Sequence, residues 1–165
     1  MFRIFRHLHL LLILAILAGC AMPGSIVPGR ATADELLQKL GKPTDTRVNP
    51  QGGEFWEYVY GPAGTQTWLF GIDRNRKVSS ATQLLTQERL YRVVPGETTE
   101  AQVRELLGPP REVVRFREET AWEWNADLSP NQGVFVVRFG PDGRATGVNV
   151  LYDFSSDSDD KDGGR

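Results

Sequence analysis

Residues 27–43 and 94–110 repeat one another at an offset of 67 without a gap. Val27/Val94, Pro28/Pro95, Gly29/Gly96, Thr32/Thr99, Leu40/Leu107, Gly41/Gly108 and Pro43/Pro110 coincide, seven of 17 positions. An internal repeat constrains the fold before any other signal, because each copy must build the same supersecondary unit.

Both copies spell a short helix. Thr32 with Glu35 and Thr99 with Gln102 have the spacing of capping boxes, in which each side chain satisfies a free N–H near the other. Ala33, Leu36, Leu37 and Leu40 mark one apolar stripe, and Val103, Leu106 and Leu107 the other. Gly41 and Gly108 supply left-handed stops, and Pro43, Pro109 and Pro110 block continuation. Helices of about eight residues are marginal alone in water, so each must lie on something. Strand-like runs follow at residues 54–60, 65–72 and 77–85, and again at 111–117, 120–125, 133–139 and 146–152. Trp56 and Tyr58 match Trp122 and Trp124 at an offset of 66, so one loop absorbs a deletion. Short turns between runs predict antiparallel pairing. Residues 86–92 form a further short helix for which the first copy has no room.

The chain has 165 residues, but the first 19 read as an export signal: Arg3 and Arg6, an apolar run over 8–18, then small residues. That run is too short to span a bilayer, which takes roughly 20 apolar residues. Leu17-Ala18-Gly19-Cys20 resembles the lipobox of bacterial lipoproteins, which implies lipidation of Cys20 and cleavage before it. Cys20 is the single cysteine, so no intrachain disulfide can form. Two or more acyl chains hold a protein stably on a membrane where one does not. Residues 20–25 then form a tether, 26–85 the first repeat and 86–154 the second. Residues 155–165 make an acidic tail of disordered composition.

Without Arg3 and Arg6 the processed chain has 17 basic and 21 acidic residues, a net charge of −4. That is no footprint for nucleic acid. His7 and His9 leave with the signal, which removes Ser-His and Cys-His nucleophiles and histidine-based zinc sites. Glu118 and Glu119 are adjacent on a strand and face opposite ways. Glu57 and Glu123 lie between inward aromatics and read as solvated. No metal ligand set, cofactor loop or enzymatic site is expected. Trp56, Tyr58, Trp68, Trp122 and Trp124 allow two readings: core side chains, or the lining of a concave sheet face that docks a partner.

Helix, Leu-Gly-x-Pro, then an antiparallel sheet bearing Trp-x-Tyr resembles the SmpA/OmlA (BamE-like) outer-membrane lipoprotein family, chiefly over residues 85–110 and in outline over 25–153. The resemblance implies an α+β fold of two tandem BamE-like repeats, each with short helices on a three- or four-stranded antiparallel sheet. The β-lactamase inhibitory proteins share that tandem layout. It further implies a protein anchored in the outer membrane through Cys20 and facing the periplasm, since Ala21 is not the Asp that retains such proteins in the inner membrane. The implied role is a protein-binding or scaffold module with an envelope protein as partner, in outer-membrane protein assembly or envelope integrity. The inhibitor proteins imply the alternative, inhibition of a periplasmic or foreign hydrolase.

Overall fold

Thr32 and Thr99 start helices for the reason their sequence predicts. Each hydroxyl accepts from the backbone N–H three residues on, and Glu35 and Gln102 accept from the N–H groups of Thr32 and Thr99 in return. The computed structural model describes residues 22–128 and 131–152. The first repeat comprises α1 (Ala33–Leu40), β1 (Asp45–Val48), β2 (Glu54–Tyr60), β3 (Gln66–Ile72) and β4 (Val78–Gln83). The second comprises α2 (Gln87–Leu90), α3 (Glu100–Leu107), β5 (Glu112–Arg115), β6 (Thr120–Leu128), β7 (Asn131–Phe139) and β8 (Ala145–Tyr152). The architecture is mixed α+β, with two four-stranded antiparallel meanders in the orders β1-β2-β3-β4 and β5-β6-β7-β8.

The two meanders copy each other down to their irregularities. Both break register at the same place, Gly71/Ile72 and Arg138/Phe139. Five residues join β1 to β2 and four join β5 to β6, which locates the deletion read from the tryptophan offset. β1 and its pairing with β2 are additions to the runs read from sequence, because its polar Asp-Thr-Arg-Val carries no apolar alternation.

Gly41 and Gly108 stop their helices, but not in the left-handed helical region. Their φ values are 78° and 80° with ψ at −158° and −168°, a region that glycine alone enters readily. The chain thereby turns straight into extended backbone toward β1 and β5.

Residues 23–25, read from the sequence as the end of the tether, pack on the first repeat. Pro23–Ser25 is a 3-10 turn with Pro23 buried, and Ile26 is part of the first core. At the repeat offset Pro23 and Ile26 stand where Leu90 and Val93 stand, both buried. The first copy therefore does hold a counterpart to the end of α2, reduced to one turn. The signal, Cys20 and Ala21 lie outside the described residues, as does the tail.

Each sheet buries one face under its helix. In the first repeat Ala33 and Leu36 meet Trp56, Tyr58, Phe70, Ile72 and Val78. In the second, Leu90, Val103 and Leu107 meet Trp124, Phe135, Val137 and Phe139. Arg89 clamps α2 to α3, its Nε donating to the Leu106 carbonyl at 2.7 Å. Burial, reinforced by Arg92, lowers its pKa from the ordinary arginine value. The bond serves one of the carbonyls that a helix end leaves without a partner.

Candidate functional site: the outer faces of the two sheets

The five aromatics that the sequence left between core and docking face lie on the core side of the sheets. Trp56, Tyr58 and Trp124 are buried at 6%, 3% and 1% exposure, and Trp68 and Trp122 pack against the cores with part of their rings uncovered. Register puts all five on the helix-covered faces. The polar tips explain why they are Trp and Tyr rather than Phe. Tyr58 Oη donates to the Gly41 carbonyl at 3.1 Å, and Trp124 Nε1 donates to the Gly108 carbonyl at 3.2 Å. An apolar ring with one donor both fills the core and fastens the helix end. Phe70 stacks on Trp68 and meets Tyr58 edge-on. Burial pushes the Tyr58 phenol up to about 12 from its ordinary 10.

The outer faces, away from the helices, differ between the repeats. On the first sheet Glu57 is not solvated. It is 2% exposed and accepts a two-pronged bond from Arg104 of α3, at 2.9 and 3.0 Å. Arg104 also lies 3.5 Å from Asp45 on β1. The end of α3 completes the contact: a Cβ on Gly108 would stand 2.6 Å from Thr67 Cγ2 and 3.5 Å from Leu84 Cδ1. The Pro62–Gly64 turn adds a second contact, with Asn125 Nδ2 donating to the Ala63 carbonyl at 2.9 Å. The two repeats are thus joined by an ion pair, a glycine contact and a loop contact.

On the second sheet the equivalent carboxylate, Glu123, accepts from Arg111 at 3.1 Å, and Arg111 also pairs with Glu112 at 3.3 Å. Among the described residues no helix covers this face. Val134 is half-buried, Leu151 is 57% exposed, and Arg138 and Asn149 stand exposed beside them. An open cleft of about 400 Å³ runs along it, lined by Asn125, Gln132, Gly133, Val134 and Leu151, with Thr65 of the first repeat as one wall.

Three of the four carboxylates weighed from the sequence lie beside arginines. Glu57 is held by Arg104 and Glu123 by Arg111. Glu119 lies 3.7 Å from Arg138. Among the described residues no group of three or more His, Cys, Asp or Glu could hold a metal ion, and no helix is long and apolar enough to cross a membrane. Sequence reasoning missed Arg104, the residue that joins the repeats. Its signal was a departure from the repeat: a charge stands where α1 has Leu37.

The fold defines a mixed α+β protein with two antiparallel sheet units. No protein-family model matches the chain, and no curated protein matches it. Among solved structures it is similar to a DUF4309 family protein (YjgB) from Bacillus subtilis, at 19% identity and a TM-score of 0.30 over 78% of this chain and 83% of that one. It is also similar to an extracellular protein containing a SCP domain from Bacillus anthracis, at 17% identity and a TM-score of 0.33 over 82% of this chain. The chain spans 47% of that second protein.

Proposed function

We propose that this chain is a lipid-anchored, periplasm-facing binding module of the outer membrane, built as two tandem BamE-like repeats. It holds an envelope protein on the outer face of the second sheet. The anchor rests on the lipobox at Cys20 and the sorting residue Ala21. The repeat assignment rests on the twice-used capping box, helix-stopping glycine and four-stranded meander. The observation that carries the binding surface is the contrast between equivalent faces: the first is sealed by Arg104 and Gly108, while the second presents Leu151 and part of Val134 to solvent beside Arg138 and Asn149. Such a face anchors a partner through its apolar centre and selects it through its charged rim.

The test is a photo-reactive amino acid at Arg138 of the full chain in living cells. Capture of an envelope protein, with fatty-acid labelling that Cys20→Ser abolishes, is the expected result. Labelling with no capture from Arg138 would remove the binding surface, and a cleaved, unlabelled chain would remove the anchor.

A further inference from the structure

Each repeat carries a seat and an insert, and among the described residues one of each is engaged. The first sheet's seat, Glu57, Thr67 and Leu84, takes the insert of the second repeat, Arg104 and Gly108. The repeat offsets carry that seat onto Glu123, Val134 and Leu151, where among the described residues no helix end docks and where Val134 and Leu151 line the open cleft. They carry the insert back onto Leu37 and Gly41. Leu37 is half-buried, with one side on the first core, and nothing lies within 4 Å of where a Gly41 Cβ would stand. The charges fit the difference between the copies. Glu57 is buried and needs Arg104, whereas Glu123 is already paired with Arg111 of its own repeat. The vacant seat therefore needs no arginine, and Leu37 offers an apolar side chain for Val134 and Leu151.

We propose that the α1 end of a second copy of this chain, with Leu37 and Gly41, docks on the Val134–Leu151 cleft and repeats between molecules the contact that joins the two halves of one. The arrangement is head-to-tail, so it closes into a ring or extends as a row. It rests on the reading of the second sheet's outer face as a binding surface and names one partner for it.

The experiment places a photo-reactive amino acid at Leu151 in the full chain, with two differently tagged copies in the same cells. The expected product joins the two tags and maps to residues 37–42 of the other copy. In the otherwise native chain Leu151→Glu should cut chemically cross-linked dimer at least about tenfold, because the seat would bury an unpaired carboxylate. Its unfolding temperature should not move, since Leu151 is exposed. A product that maps to β8 of the second copy, a product with a different protein only, or no product overturns the proposal. The product with a different protein would instead support the broader reading. Failure to capture from Arg138 beside a normal product from Leu151 would fall on that broader reading alone.

Discussion

Glu57 and Glu123 hold the same place in the two copies, yet one is sealed under an arginine and the other stays at the surface. Removing the partner of a buried charge is costly because the charge stays behind without water or counter-ion. Arg104→Ala should therefore lower the unfolding free energy by about 2–4 kcal/mol, the lower end reflecting an arginine still 27% exposed. Pairing Arg104→Met with Glu57→Leu should recover most of that in denaturant unfolding, since no unpaired charge remains. A loss for Arg104→Ala below about 0.5 kcal/mol, the range of an ordinary surface change, would mean that the pair does not hold the repeats. Tyr58 gives a pH signature. Its folded pKa of about 12 stands above the ordinary 10, so the fold favours the neutral phenol. That contribution is complete below pH 10 and is lost as pH rises through 12, a fall of about 3 kcal/mol. Tyr58→Phe should flatten this part of the stability profile; an identical fall in the variant would place its cause elsewhere. Sequence alone placed Tyr58 on one face with Trp56 but could not decide core from surface, because spacing gives the face and not what covers it.

At the scale of elements, most of the helices were readable because their starts and stops are local chemistry. Thr32/Glu35 and Thr99/Gln102 satisfy backbone donors within four residues, so no tertiary contact has to be known. β1 and the outer-face contacts were not readable. β1 has no apolar alternation, and Glu57 is buried by a side chain 47 positions away. Gly108 and Gly41 test the second kind of contact directly. Both sit at positive φ with extended ψ, so alanine strains the backbone similarly at each. Only at 108 does the new methyl meet Thr67, at 2.6 Å. Gly108→Ala should cost about 1–3 kcal/mol more than Gly41→Ala, the range of an overpacked contact. Equal losses in thermal unfolding would mean that the end of α3 is not tightly seated on the first sheet.

The whole molecule is two copies of one unit placed in sequence, with the helix end of the second sealing the sheet of the first. That arrangement makes the first outer face structural and leaves the second open. The repeat in the sequence announced two units but not their mutual seal, which lies in the positions where the copies disagree: Leu37 against Arg104, and Thr44 against Arg111. Each unit of about 67 residues buries a thin core, so the seal is expected to couple their stabilities. Hydrogen exchange of the native full chain in rising denaturant reads this coupling strand by strand. The amides of β2–β3 and of β6–β7 should share one opening free energy, and Arg104→Ala should split them. Separate opening of β2–β3 in the unsubstituted chain, well below β6–β7, would contradict the sealed junction.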